Sequence, residues 1–139
     1  MNGVQIIKHK YKHTDARGET ISYIADGKLE VAKHGFKEVL VLKRKKGTIA
    51  GRHYHKGTDT TRNPEIQYII SGKLKLTVKD MRGPSSNKNK FESYLLGPNT
   101  EIRISPYIYH CMEFLENTIF LELHSEVSPY TDVYEVRLH

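Results

Sequence analysis

Almost every apolar segment of this 139-residue chain is short, rich in β-branched and aromatic residues, and bounded by glycine, proline, asparagine or aspartate. This pattern is typical of strands separated by turns. No window of a dozen residues combines the apolar spacing of an amphipathic helix with a capping residue before it. Eleven strands are predicted, over residues 4–7, 21–24, 36–42, 48–54, 66–70, 74–78, 91–96, 101–104, 110–114, 119–124 and 133–138. The sequence therefore predicts an all-β sandwich or barrel.

Length and composition favour one soluble domain over residues 1–139. A chain of this size has room for a single core, and no apolar run approaches the roughly 20 residues that span a bilayer. The first residues lack the apolar core of a signal peptide, so we expect a cytoplasmic protein that does not bind membranes.

Cys111 is the only cysteine. Any metal must therefore be held by histidine and carboxylate.

The formal net charge of +6 raises the question of a nucleic-acid ligand. The basic residues are scattered, however. Their densest run, residues 43–46, closes an apolar strand and faces a turn, and Lys73, Lys75 and Lys79 alternate with apolar residues as on a solvated strand face. We expect no nucleic-acid partner. A modest positive field suits a small phosphorylated ligand, such as a nucleotide diphosphate sugar.

Histidine and glutamate are placed to meet at one pocket. His53 and His55 are two residues apart, so both imidazoles project from the same face of a strand. Glu65 opens the next strand and shares its face with Gln67, while His110 begins a later strand after a proline turn. Nitrogen and carboxylate donors together suit zinc, iron, manganese, nickel or copper.

The spacing of these residues resembles the two motifs of the cupin superfamily. The matched positions are Gly47, His53, His55, Glu65 and Gly72 in the first motif and Pro106 and His110 in the second. The resemblance implies a cupin barrel, also called a double-stranded β-helix or jelly roll. It also implies a metal site formed by His53, His55, Glu65 and His110. Nine residues separate His55 from Glu65, which predicts a lengthened hairpin loop over the pocket mouth at residues 56–64.

The flanking segments resemble the sugar-nucleotide cupins, the group around dTDP-4-dehydrorhamnose 3,5-epimerase and the dTDP-sugar 3,4-ketoisomerases. The similar segments are DARG at residues 15–18, GRHYHK at residues 51–56 and PYIYHCM at residues 106–112. In those enzymes a pocket histidine removes a proton next to a sugar keto group, and a tyrosine or a second histidine returns one. Imidazole suits this task because its pKa of about 6.5 allows proton exchange at neutral pH.

The resemblance implies roles for individual residues. His53 is the first candidate base and His55 the second, and Tyr109, Tyr107 or Tyr68 could donate the proton. Where the epimerases carry a phosphate-binding arginine, this chain has Ala50, and Arg52 or Arg62 could substitute for it. The expected substrate-binding residues are Arg52, Arg62, Gln67, Tyr68 and Tyr107.

Three functions remain open at this point. The first is a sugar or nucleotide-sugar isomerase or epimerase in polysaccharide biosynthesis. The second is a metal-dependent cupin oxygenase or isomerase, favoured by the presence of Glu65, with a divalent Zn, Fe, Mn or Ni ion and no organic cofactor. The third is a non-catalytic module that binds a small metabolite. We also expect a homodimer, because residues 133–138 offer a free strand edge.

Overall fold

Alternating apolar residues place one face of most strands in the barrel interior. The structure, a computed structural model, describes residues 1–23 and 35–137. The strands within these ranges are β1 (Val4–Lys8), β2 (Tyr11–Asp15), β3 (Gly18–Ile21), β4 (Glu38–Arg44), β5 (Ile49–Tyr54), β6 (Glu65–Ser71), β7 (Leu74–Asp80), β8 (Phe91–Leu96), β9 (Thr100–Ile104), β10 (Ile108–Phe114), β11 (Thr118–His124) and β12 (Tyr134–Glu135).

The strands form two five-stranded antiparallel sheets and a separate β2–β3 hairpin. The strand order is β1-β9-β6-β11-β4 in the first sheet and β12-β5-β10-β7-β8 in the second. Because most neighbours in a sheet are not consecutive in the chain, the chain passes repeatedly from one sheet to the other. This is the jelly-roll arrangement of a cupin barrel, so the predicted fold class is confirmed. None of the helical turns in the described ranges has the length and apolar character needed to span a bilayer.

The hydrophobic core lies between the sheets, on the side formed by β6, β7, β9 and β10. β7 shows how the sequence places it: Leu74, Leu76 and Val78 are fully buried, at every second position. Phe114 and Phe120 stack across the interior with ring centroids 5.8 Å apart. On the opposite side lie β4, an edge strand of the first sheet, and β5, which is next to the short β12 in the second sheet, and a cavity opens between them.

The structure departs from the predicted strands at both ends of the chain. The β2–β3 hairpin was not predicted, because every residue of β2 is exposed and gives no apolar alternation. Of the predicted strand at residues 21–24, only Ile21 is in a strand, and residue 24 lies outside the described residues. The last strand covers only Tyr134–Glu135, and residue 138 lies outside the described residues too. Residues 81–90 connect β7 and β8 as an exposed loop, as predicted.

Residues 56–64 do not form the lengthened hairpin loop that the motif spacing suggested. β5 and β6 belong to different sheets, so this segment crosses from one sheet to the other. It contains a 3-10 turn at Thr60–Arg62, whose first turn is capped by the Asp59 carboxylate accepting from the Thr61 amide at 3.0 Å. Asp59, Thr61 and Arg62 are all buried. The segment is therefore part of the barrel wall.

Candidate functional site

The cavity between the sheets has a volume of about 400 Å³. One end is polar and is lined by His53, Arg62, Glu65, Gln67, His110 and Glu122. Apolar residues line much of the rest: Leu40, Leu42, Ala50, Met112, Phe120 and Val133. Arg44, Gly51 and Tyr130 complete the lining. A pocket of this size with a few converging polar groups is typical of a small-molecule site.

Three histidines meet at the polar end because β5 and β10 are neighbours. His53 lies opposite His110 in the register of this pair, and His55 follows on the same face as His53. The ring centroids are 4.7 Å apart for His53 and His55, 4.8 Å for His53 and His110, and 5.2 Å for His55 and His110. One nitrogen from each ring lies within 4.8 Å of the other two.

Gly51 allows the close approach of β5 to β10. Its φ is +94°, and an added Cβ would lie only 2.6 Å from the carbonyl oxygen of His110. The register of the strand pair shifts at this point, between His110 and Cys111. A larger residue would be strained in this conformation and would push the strands apart. Gly51 therefore fixes the spacing between His53 on β5 and His110 on β10.

Backbone carbonyls orient two of the imidazoles. His55 Nδ1 donates to the carbonyl of Asp132 at 2.6 Å, and His110 Nδ1 donates to the carbonyl of Ile108 at 3.0 Å. A carbonyl oxygen can only accept, so Nδ1 carries the hydrogen and Nε2 of the neutral ring keeps a lone pair. The two Nε2 atoms lie 3.4 Å and 3.2 Å from Oε2 of Glu65. Three atoms with lone pairs therefore converge on one point.

The carboxylate of Glu65 makes polar contacts with Arg62, Gln67 and two of the histidines. Its Oε1 accepts from Arg62 Nη1 at 2.8 Å and from Gln67 Nε2 at 3.3 Å, while its Oε2 faces the two histidines. Burial opposes ionisation, but the nearby His110, His55 and Arg62 outweigh it and hold the pKa of Glu65 well below its usual range. Glu65 is a carboxylate at neutral pH.

The three histidines differ in basicity. Burial, together with His110 and His55, lowers the pKa of His53 to about 4. Burial also lowers the pKa of His110, although Glu65 opposes this shift. Burial acts in the same direction on His55, but the adjacent Glu65 outweighs it and raises the pKa of His55. His53 therefore lines the cavity as a neutral imidazole at physiological pH.

A second buried carboxylate, Glu122, lies beside this cluster and was not among the predicted site residues. Its Oε1 accepts from Gln67 Nε2 at 2.7 Å, and its Oε2 lies 3.0 Å from His124 Nε2. His124 Nδ1 is 2.7 Å from Oε1 of Glu38. Burial and the charge of Glu65 raise the pKa of Glu122. The signal was present in the sequence, since Phe120, Glu122 and His124 occupy alternate positions of one strand.

Asp132, in the segment after β11, connects two parts of the site through hydrogen bonds. The carboxylate of Asp132 accepts from the amides of Lys56 and Gly57 at 2.8 Å each and from the amide of Asp59 at 3.2 Å. Its carbonyl accepts from His55, as described above. Burial opposes ionisation of Asp132, but the amide donors lower its pKa. Asp132 thereby joins the C-terminal segment to the wall segment that carries Arg62.

Strand alternation keeps two of the predicted tyrosines away from the cavity. Tyr109 precedes His110 by one residue, so its side chain lies on the outer face of β10, where its ring packs against Phe91. Tyr68 lies on the outer face of β6 and packs against Tyr23, with ring centroids 4.1 Å apart. Neither side chain lines the cavity.

Tyr107 and Arg52 also lie outside the cavity. The ring of Tyr107 stacks on Tyr54 at a centroid distance of 6.0 Å, and Arg52 is exposed. Arg62 and Gln67, in contrast, line the cavity as the sequence predicted for substrate-binding residues. The structure thus brings together two of the five predicted substrate-binding residues.

Two cavity residues were overlooked in the sequence. Arg44 belongs to the basic run at residues 43–46, which looked like the end of a strand, yet its side chain lines the cavity. Tyr130 lies at the mouth, with its ring centroid 5.8 Å from the guanidinium carbon of Arg62. Arg44 could have been identified, because it continues the alternation of Leu40 and Leu42.

We predict that Asp132→Asn destabilises the protein. The asparagine amide would turn an N–H donor toward amides that now donate to a carboxylate, so the free energy of unfolding should fall by about 3 kcal/mol. Urea unfolding followed by circular dichroism measures this change. Asp15→Asn, in the exposed β2–β3 hairpin, is the matched control and should lower stability far less, because its ion pair with Arg17 is exposed to solvent. Equal stability of the Asp132 variant and the wild type would contradict the prediction.

Comparison with known proteins supports the fold. The sequence matches no known family model and no curated protein. Three solved structures illustrate the similarity. A dTDP-4-dehydrorhamnose 3,5-epimerase from Sulfolobus tokodaii has a TM-score of 0.73 and 21% identity, over 98% of this chain and 78% of the epimerase. A sugar 3,4-ketoisomerase from Thermoanaerobacterium thermosaccharolyticum, solved with TDP, has a TM-score of 0.72 and 19% identity, over 98% of this chain and 90% of that chain.

The third is a TDP-quinovose 3,4-ketoisomerase from Campylobacter jejuni, with a TM-score of 0.73 and 16% identity over 98% of this chain and 95% of the other. These proteins belong to the group that the sequence motifs indicated. At these levels of identity the likeness establishes the fold. The chain has the cupin fold of the sugar-nucleotide epimerases and ketoisomerases.

Proposed function

We propose that the protein is a sugar-nucleotide isomerase of the epimerase or 3,4-ketoisomerase type, acting in the assembly of polysaccharides. The observation that carries this proposal is His53, an imidazole that lines the cavity and whose pKa of about 4 keeps it unprotonated at neutral pH. A neutral imidazole can accept a proton from a carbon next to a keto group. The fold shared with epimerases and ketoisomerases that act on dTDP-linked sugars supports the same chemistry.

In the proposed reaction, His53 removes the proton from the carbon next to the sugar keto group. The electrons of the broken C–H bond form an enolate, whose oxygen carries negative charge. Arg62 is a positive group at the polar end of the cavity that can stabilise this charge. Tyr130, the tyrosine that lines the cavity, takes the proton-returning role that we had expected of Tyr109. Protonation of the same carbon by Tyr130 on the face opposite His53 inverts that centre. For a keto shift, the proton of the neighbouring hydroxyl moves to the enolate oxygen and Tyr130 protonates the former keto carbon instead. The proton held by His53 then passes through solvent to the Tyr130 phenolate, which restores both residues.

We predict that His53→Asn lowers kcat on a dTDP-linked 4-keto-6-deoxy sugar by about 10²- to 10⁴-fold, since asparagine cannot accept the proton. Nuclear magnetic resonance in deuterated water measures both the product and the incorporation of solvent deuterium at carbon. His13→Asn, on the exposed β2 strand, is the control and should keep full activity. An inactive wild type, or a His53 variant that retains activity, would argue against the proposal. Turnover by the wild type would exclude a purely non-catalytic binding module.

A second candidate is a metal-dependent cupin oxygenase or isomerase, favoured by the donor atoms around Glu65. Nε2 of His55 and Oε2 of Glu65 are buried and have no hydrogen-bond partner among the described residues. Ligands bound to one ion at 2.0–2.2 Å lie roughly 3.0–3.5 Å apart, and Oε2 lies 3.4 Å and 3.2 Å from the two Nε2 atoms. His53, His55, Glu65 and His110 therefore fit a divalent ion such as zinc, iron, manganese or nickel. A bound ion would polarise a substrate oxygen as a Lewis acid.

If this second candidate is correct, purified protein contains about one metal ion per chain, and Glu65→Gln reduces the content severalfold because it removes the anionic ligand. Inductively coupled plasma mass spectrometry measures the content, and thermal unfolding with and without a chelator measures the stabilisation. Glu113→Gln, at an exposed position on β10, is the control. Metal-free protein whose stability and activity do not respond to chelation would disprove the metal proposal and leave the isomerase proposal intact.

We also propose that the protein forms a homodimer. The expected interface, the terminal strand, is only two residues long in the described part of the chain. β4 offers a longer edge: it has one neighbour, β11, among the described strands. Its outward side chains Val39 and Val41 are 54% and 61% exposed. An apolar edge strand of this kind favours association with a second copy.

We expect light scattering during gel filtration to give twice the chain mass of 16.1 kDa. Val41→Lys should shift the protein toward monomer, because it places a charge in the proposed interface. Leu95→Lys, an exposed position on β8 in the other sheet, should remain dimeric. A monomeric wild type, or identical masses for all three proteins, would contradict a dimer through β4.

A further inference from the structure

The two arginines that line the cavity differ in their partners. Arg62 is surrounded by carboxylates: its guanidinium lies 2.8 Å from Glu65, 3.5 Å from Glu122 and 4.0 Å from Asp59. Arg44 has no carboxylate within 4 Å among residues 1–23 and 35–137, and its Nη1 donates to the carbonyl of Lys43 at 3.2 Å. Arg62 therefore shares its charge with carboxylates of the protein, whereas Arg44 has no such partner among the described residues.

The surroundings of Arg44 make this uncompensated charge significant. Its side chain is half-buried on the inner face of β4. The guanidinium carbon lies 6.0 Å from the ring centroid of Phe120, and Leu42 lines the same stretch of cavity. An arginine held against apolar walls loses part of its hydration, and an anion restores the lost interaction energy. A planar guanidinium can also hold a phosphate through two hydrogen bonds.

The strand register shows how far Arg44 lies from the reactive groups. In the β4–β11 pair, Leu40 is opposite Glu122, and Arg44 is opposite Thr118. Four residues of an antiparallel strand span roughly 14 Å, so Arg44 and the histidine–glutamate cluster mark opposite ends of the cavity. A ligand that touches both ends must be elongated, with its anionic group well separated from the atoms that enter the cluster.

We propose that Arg44 forms an anion subsite that binds the phosphate groups of an elongated, phosphorylated ligand. The subsite deepens the proposed function, on which it rests for the identity of the reacting end. Ala50 lines the middle of the cavity without any charge. Arg52, which could have supplied a charge from the same strand, lies outside the cavity. Among the described residues that line the cavity, Arg44 is the arginine whose charge is left for a ligand.

Calorimetric titration of the full-length protein tests the subsite without requiring turnover. The ligands are dTDP, inorganic pyrophosphate and the uncharged nucleoside thymidine. Arg44→Met removes the charge and keeps an apolar stem, while Lys43→Met removes the same charge from the opposite face of β4. We expect Arg44→Met to weaken dTDP and pyrophosphate binding by at least about tenfold. Lys43→Met should change either Kd less than about twofold.

Titration with thymidine distinguishes the loss of the phosphate contact from a general disruption of the cavity. Its affinity, or the absence of binding, should be the same in the wild type and in Arg44→Met. Arg44→Lys should recover part of the pyrophosphate affinity, because it restores the charge without the planar fork, and thermal unfolding verifies that each variant is folded. Equal effects of the two methionine variants, or a wild type that binds neither phosphate, would overturn the subsite. Phosphate binding that depends on Arg44 in a protein without isomerase activity would overturn only the proposed function.

Discussion

The buried carboxylate of Glu65 is the interaction on which the arrangement of the site depends. It opens β6, and it contacts Arg62 from the crossing segment, His55 directly after β5 and His110 from β10. A lone buried carboxylate is costly, and it is tolerated here because a guanidinium and two imidazoles surround it. Those same contacts pull the 3-10 turn and both sheets toward one point. The buried charge of Glu65 therefore determines how the crossing segment and the two sheets come together around the cavity.

Both candidate functions use this geometry and differ in what lies between Oε2 of Glu65 and the two Nε2 atoms. A proton there would favour one imidazole over the other, and the opposite pKa shifts of His55 and His110 fit such an unequal sharing. A divalent cation would instead bind both nitrogens through their lone pairs. In either case the carbonyls of Asp132 and Ile108 hold the rings in the required tautomer. His53 also lines the cavity, and its pKa of about 4 keeps its imidazole neutral there.

Local periodicity made most of the fold and the histidine cluster predictable. The same rule of alternation also places Tyr109 on the opposite face from His110, and it would have revealed Arg44 and Glu122 as inward residues. The route of residues 56–64 was not accessible in this way, because it depends on which sheet β5 and β6 join. Sheet membership is decided by contacts between distant parts of the chain, such as the His53–His110 register. The role of Asp132 was hidden for the same reason, since its partners lie more than seventy residues earlier.

The balance of charge in the cavity favours an anionic ligand independently of any single contact. Among the described residues that line it, Arg44 and Arg62 are positive, Glu65 is negative, and Glu122 has a raised pKa. Glu122 is therefore the carboxylate that protonates more readily, and its neutral form would leave one positive charge without a protein partner. This surplus lies at the end of the cavity away from His53, against Phe120. A ligand whose charged and reacting groups are separated would place its anionic group at Arg44 and its neutral keto sugar beside the imidazoles. A negative charge on the sugar end would instead be repelled by the carboxylate of Glu65.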